Sequence, residues 1–210
     1  MNMNDNNIQR VPSSLSIDLY RRAFLVIIIS ALAGSAYTRN PAWKDDVTLW
    51  TDVAVKSPHL ARVQNNLGFA YVSKGMFDKA IEHYERALAI RPTHAKTHYN
   101  LGLAYKYKGV LDKAVEHFER ASELKCNDPN LYNDLGLLYS TGGFNDKAIE
   151  NYQLALNYEP NFVDAYFNLG LAYLALGKQD NARWAFYSSL KIDPFNKDAQ
   201  KFIDSLSSAR

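Results

Sequence analysis

The sequence of 210 residues holds one cysteine, Cys126. That excludes an internal disulfide, and without a second thiol or an adjacent base the residue does not read as a redox or nucleophilic centre. In its slot other repeats (below) carry proline, so a semi-exposed helix end is expected there. A dominant charge is missing too: 24 Lys and Arg stand against 22 Asp and Glu, a formal net charge of +2. There is no basic run and no interleaving of aromatics with Arg or Lys, so no nucleic-acid partner is expected. No Gly-rich phosphate loop, Ser/His/Asp set or pair of buried carboxylates stands out. His94 and His98 have the spacing to share a helix face, but no third metal ligand follows at a plausible distance in sequence. The expectation is therefore a chain with no catalytic residues, no metal, no cofactor and no small-molecule substrate.

Glycine is scarce but ordered. Of the ten glycines, eight fall in two columns with a step of 34: Gly68, Gly102, Gly136, Gly170, and Gly75, Gly109, Gly143, Gly177. Ala80, Ala114, Ala148 and Ala182 keep the same step, and the run Asn100-Leu101-Gly102-Leu103-Ala104-Tyr105 recurs around each glycine of the first column. A fixed period of this size marks a solenoid of repeated supersecondary units. Each unit reads as two helices, A and B. Leu67, Ala70 and Tyr71 lie at helical spacing with Gly68 among them, and a mid-helix glycine, which costs about 1 kcal/mol, signals a close A–B crossing. Gly75 and its equivalents end helix A. Asp78, Asp112, Asp146 and Asp180 follow, placed to cap helix B. Helix B presents Ala80, Ile81, Tyr84, Ala87 and Leu88, and Pro92, Pro160 and Pro194 stop it.

On these residues the sequence resembles the tetratricopeptide repeat (TPR) family, with repeats at 61–94, 95–128, 129–162 and 163–196. The resemblance implies an all-α, right-handed solenoid of helix-turn-helix repeats stabilised mainly by neighbour interfaces. Ala199, Phe202, Ile203 and Leu206 give residues 197–210 one apolar face, as a closing helix requires.

Ahead of the repeats, residues 1–18 are rich in Asn and Ser and read as a disordered tail. Residues 19–38 form an apolar segment. Its uncharged core Ala23–Tyr37 spans about 23 Å as a helix, short of roughly 30 Å of hydrocarbon, and Tyr20 and Thr38 extend it toward that length. Three readings compete: a membrane anchor through residues 20–38, a cleaved signal peptide (Arg21-Arg22-Ala23-Phe24-Leu25 resembles the twin-arginine export pattern), and a buried core helix. The anchor is the preferred one. With Arg10, Arg21 and Arg22 on the tail side, it implies a single-pass membrane protein with its repeats on the non-cytoplasmic side. Residues 42–60 read as a degenerate half repeat, a lone helix B in which Trp50 aligns with Tyr84 and Trp43 with Phe77, both capping the first repeat's core. The junction Arg39-Asn40, Trp43, Leu49-Trp50, Ser57-Pro58, Arg62 and Asn65-Asn66-Leu67-Gly68 resembles the join in membrane glycosyltransferases of the protein O-mannosyltransferase type. That resemblance implies an alternative role, a TPR arm acting with a separate catalytic subunit.

The TPR resemblance also implies that the A helices line a concave groove. Four columns face it: Asn65, Tyr99, Asn133, Phe167; Asn66, Asn100, Asp134, Asn168; Phe69, Leu103, Leu137, Leu171; and Arg62, Lys96, Asn130, Asp164. An amide ladder beside an apolar stripe suits a protein or extended peptide, because Asn both donates and accepts. The ladder resembles that in the TPR arm of O-GlcNAc transferase; the plainer reading is that Asn is common in this slot. Asn65 and Phe69 stand where carboxylate-clamp TPR domains need Lys and Asn, so a chaperone-tail clamp is not expected. His83 and His117, beside Glu82, Glu116, Lys79 and Lys113, read as a solvated outer face. Arg183 and Trp184 break their columns, and the Trp reads as a contact for a partner or for the closing helix. The function expected is a membrane-anchored scaffold for a protein or peptide.

Overall fold

The computed structural model describes residues 25–30 and 44–208. These are helical, with no strand among the described residues. They fall in two units, 1–52 and 53–210. In the first, residues 25–30 are helical and exposed. Helix α1 (Asp46–Lys56) opens where the Asp45 carboxylate accepts a bond from the Thr48 N–H at 2.9 Å. None of its residues is buried, and Trp43 lies outside the described residues.

Among the described residues no helix is long and apolar enough to cross a membrane. This overturns the expectation of a single-pass membrane protein with non-cytoplasmic repeats. Of the apolar segment 19–38, the described part is helical over 25–30 only, about 9 Å of rise against a roughly 30 Å hydrocarbon core. The expected tail at 1–18 and the remainder of the segment lie outside the described residues.

In the second unit the helices pair. Helix α2 (Ala61–Ser73) packs with α3 (Phe77–Ile90), α4 (Ala95–Lys108) with α5 (Leu111–Glu123), α6 (Pro129–Thr141) with α7 (Asn145–Tyr158), and α8 (Val163–Ala175) with α9 (Gln179–Ile192). Helix α10 (Lys197–Ser208) packs on α9.

Each pair is seated on the first glycine column. A Cβ at Gly68 would stand 2.7 Å from Tyr84 Cε1, and one at Gly136 or Gly170 2.6 Å from the ring of Tyr152 or Phe186. At Gly102 it would run into the Phe118 ring. All four rings are essentially inaccessible to solvent. Burying such a ring contributes about 1.5–3 kcal/mol, which exceeds the roughly 1 kcal/mol that a mid-helix glycine costs.

The second glycine column closes every A helix the same way. Gly75, Gly109, Gly143 and Gly177 have φ of 70–83°. At the first, Gly75 N–H bonds Val72 O and Met76 N–H bonds Tyr71 O, each at 2.9 Å. That is the Schellman arrangement, repeated at Val110, Phe144 and Lys178. The aspartates do not cap helix B as expected. The N-cap residues are Met76, Val110, Phe144 and Lys178, which make no side-chain cap bond; each Asp stands in the first turn, where its charge suits the helix dipole. One B helix ends unlike the rest. Lys125 holds φ 60° in a Schellman turn closed by Cys126 N–H on Ala121 O at 3.0 Å. That turn buries Cys126, correcting the expected semi-exposed helix end, and burial pushes its thiol pKa up.

Neighbouring pairs are tied by a tyrosine column. Lys79, Lys113 and Lys147 lie 5.5, 5.1 and 5.0 Å over the rings of Tyr71, Tyr105 and Tyr139. The Tyr105 and Tyr139 hydroxyls donate back to Glu85 and Glu119 of the preceding B helix. At the end, Phe202 of α10 stacks on Phe186 at 5.1 Å, and Ala199, Ile203 and Leu206 are buried.

Two substitutions test this packing in opposite directions. Gly102→Ala, which would stabilise an open helix, is expected to lower the unfolding midpoint, because overpacking against Phe118 costs about 1–3 kcal/mol. Lys125→Gly is expected to raise stability by about 1 kcal/mol by relieving a left-handed non-glycine residue. Chemical denaturation of the full chain reads both.

Candidate functional site

The twelve residues expected in the groove all lie on A helices. Tyr99 and Asn100 are buried; Phe69 and Leu137 are exposed, at 62% and 38%; the others are half-buried. The polar members meet each other. Asn100 Nδ2 donates to Asn65 Oδ1 at 3.1 Å, and Asn168 Nδ2 donates to Asn133 Oδ1 at 3.0 Å. Between them, Tyr99 OH donates to Asp134 Oδ2 at 3.4 Å. Each of these contacts steps 35 residues, so the ladder runs from one column of a repeat to the adjacent column of the next. Its final rung is apolar, with the Phe167 and Phe202 rings 6.0 Å apart.

Charge gathers at the middle rung. Lys106 Nζ donates to Asp134 Oδ1 at 2.6 Å, with side-chain exposures of 24% and 15%. Burial, reinforced by Asp134, drives the Tyr99 phenol pKa far up, so Tyr99 remains a neutral donor. Lys96 lies 4.6 Å over the Tyr99 ring and bonds Asp128 at 2.8 Å. Burial alone would raise the Asp128 carboxyl, but its bonds from Lys96 and Asn130 outweigh that and hold it below the usual range.

Phe69, Leu103, Leu137 and Leu171 bring one apolar side chain from each A helix, and this stripe is the most open part of the site. The arrangement can bury apolar side chains against a polar ladder already satisfied within the protein. The one-residue offset between neighbouring columns was the available signal for that internal pairing.

His83 and His117 depart from the solvated face expected for them. His98 is buried and His83 and His117 are half-buried. His98 Nε2 donates to Pro92 O at 3.0 Å, which leaves its Nδ1 to accept from His117 Nδ1–H at 3.3 Å. One repeat earlier Gln64 does the same work, donating to Pro58 O at 3.1 Å and accepting from His83 Nδ1 at 2.8 Å. His83 and His117 stack on Tyr71 and Tyr105. His94 instead meets Thr97 Oγ1 at 2.6 Å, so it does not converge with His98. Of the two residues that break their columns, Arg183 serves the closing helix, donating to Leu206 O at 3.1 Å. Trp184 stays 54% exposed, edge-on to Tyr166.

Two predictions follow from these contacts. Asn100→Ala removes one of the two donors to Asn65 Oδ1, leaving the Thr97 hydroxyl bond in place, and is expected to cost about 0.5–1.5 kcal/mol of stability, seen as a lower denaturation midpoint. Burial, the largest influence on both, lowers the His83 and His117 pKa values below 6.5. Their contribution is complete above pH 6.5 and is lost as pH falls through the lowered values. Thermal melts from pH 7 to pH 5 should show a falling midpoint, and His117→Asn, which copies the third repeat's Asn151, should flatten that fall.

Three family models match the sequence: a tetratricopeptide repeat model at residues 59–127, a TPR repeat model at 141–177, and a further tetratricopeptide repeat model at 163–196. They begin at residue 59 and lend no support to the glycosyltransferase-like junction at 20–68. No curated protein matches by sequence. Among solved structures, the chain is similar to a crystal structure of MamA, with 30% identity and a TM-score of 0.66 over 73% of this chain and 89% of that one. It shares its fold with YrrB, described as a TPR protein with an unusual peptide-binding site, at 22% identity and TM-score 0.70 over 76% and 82% of the two chains. It also shares its fold with pilF of Pseudomonas aeruginosa, at 21% identity and TM-score 0.61 over 70% and 67%. A 34-residue glycine period, helix pairs seated on those glycines and these matches together place the chain in the tetratricopeptide repeat family.

Proposed function

We propose that this chain is a scaffold that binds a protein or an extended peptide along its A helices and carries out no chemistry of its own. The observation that carries the proposal is the apolar stripe Phe69, Leu103, Leu137, Leu171, whose members Phe69 and Leu137 are open to solvent on helices otherwise amphipathic toward the core. Beside it, Asn65, Asn66, Asn133, Asp134 and Asn168 are half-buried polar groups within reach of a ligand backbone. Tyr99 and Asn100 act from behind, holding Asp134 and Asn65 in place, while Phe167 packs against Phe202 of the closing helix. Packed helices lie about 8–10 Å apart and an extended chain advances about 3.3 Å per residue. The ligand this surface fits therefore presents an apolar side chain at about every third residue.

Panning a displayed peptide library on the full chain supplies the ligand for a test. Selected peptides are expected to show that spacing. Leu137→Asp or Phe69→Ser should weaken their binding roughly tenfold to a hundredfold, the equivalent of losing one buried side chain at about 1.5–3 kcal/mol. The unfolding midpoint should barely move, since both side chains are exposed. Undiminished binding by both variants would refute the A-helix surface as the site.

A further inference from the structure

Asp78, Asp112, Asp146 and Asp180 occupy the same place in the four B helices. Asp78 pairs with Lys108 at 2.5 Å, Asp146 with Lys178 at 3.8 Å, and Asp180 with Arg183 at 3.6 Å. Asp112 has no ion-pair partner among the described residues. The register explains why. Gly142 stands where the preceding repeat has Lys108, Thr141 where it has Tyr107, and Leu111 faces them where Phe77 faces Tyr107.

The two seams differ accordingly. At the first, between α3 and α4, the Phe77 and Tyr107 rings stack at 5.6 Å and 22°, and Lys108 closes over them onto Asp78. The cleft left there, about 300 Å³, is lined by Phe77, Asp78 and Lys108 themselves together with Gly75, Met76 and Lys79. At the second, between α5 and α6, the missing side chains leave a cavity of about 340 Å³ that reaches inward to Val115, Leu138 and Tyr139. Asp112 and Thr141 stand on its wall, with the 62% exposed Phe144 beside them. Its volume is at the small end for ligand sites, about 300–1,000 Å³, suiting a side chain rather than a cofactor.

We propose that this seam is a second binding site, separate from the A-helix stripe, which takes an aromatic residue followed by lysine or arginine from a partner protein. The chain itself displays the occupant's chemistry one repeat earlier: Tyr107, 56% exposed, lays its ring on Phe77, and the next residue, Lys108, pairs with the aspartate. At the open seam the partner's ring lies against Leu111 and Val115, and its cation pairs with Asp112.

The test is an NMR titration of the full chain, with labelled methyl groups, using a blocked hexapeptide that has a central tyrosine–lysine pair between Gly and Ser residues. Saturable shifts are expected at the methyls of Leu111, Val115 and Leu138. Asp112→Asn should reduce affinity about fivefold, and so should a probe with glutamate in place of lysine. The double variant Thr141→Tyr, Gly142→Lys rebuilds the first seam, so it should abolish the shifts and raise the unfolding midpoint. Gly142 has an ordinary negative φ, and the atoms nearest its missing Cβ are those of the exposed Phe144 ring at 3.1 and 3.3 Å, with Leu138 O at an ordinary 3.6 Å. If that variant does not fold, the Asp112→Asn comparison still decides. Absence of saturable shifts at these methyls, equal binding of the tyrosine–lysine and tyrosine–glutamate probes, or shifts at the Leu103 and Leu137 methyls instead would each overturn the proposal.

Discussion

An aromatic ring lying on bare backbone governs this structure. Tyr84, Phe118, Tyr152 and Phe186 each occupy the space that a Cβ would claim on the facing A helix. The contact fixes how near the two helices of a pair approach. Two of the rings carry hydroxyls, and burial raises the Tyr84 and Tyr152 phenols, so they stay neutral within the core. Seven residues after each seat comes a left-handed glycine whose turn sends the chain back as helix B. Seat and turn recur together, and so does every surface they position, including the stripe from Phe69 to Leu171.

Between pairs the logic changes from shape to polarity. The rungs Asn65–Asn100, Tyr99–Asp134 and Asn133–Asn168 join successive A helices. A hydrogen bond of this kind contributes a net of about 0.5–1.5 kcal/mol, less than one buried ring. The ladder is thus better suited to setting the angle between neighbours than to supplying their cohesion, which comes from apolar burial. Phe167 meeting Phe202 ends the series without a polar group left over, and this is where the closing helix takes the place of a fifth A helix.

What the sequence disclosed was whatever depends on a missing side chain. Glycine has few reasons to recur at 34-residue spacing, so both columns were legible, and their physical roles are those seen at Gly68 and Gly75. Polar residues were harder to place, because their partners sit one column over in the next repeat. Asn100 looked open until Asn65 was found to accept its amide. Gln64 and His98 do the same work with different chemistry, which hid the buried face that holds His83 and His117. The aspartates were misplaced by two residues: a carboxylate near a helix start suggests a cap, yet three of the four reach a neighbouring cation instead. Hydrophobicity alone misled about the segment 19–38, from which a membrane helix was expected and for which the described residues show none of sufficient length.

The open seam at Asp112 and the stripe on the A helices have different origins, one from a pair of positions that changes from junction to junction (Tyr107-Lys108, Thr141-Gly142, Ala175-Leu176) and the other from a column kept apolar in all four repeats. The most direct measurement for the central claim, that the glycine seats hold the A helices so that their stripe forms one continuous binding surface, is a map of a library-selected peptide bound to the full chain. Methyl and ring shifts of the labelled chain should run in one track through Phe69, Leu103, Leu137 and Leu171, with B-helix positions such as Leu154 and Trp184 unmoved. Shifts confined to the B helices, or scattered without order along the repeats, would contradict it.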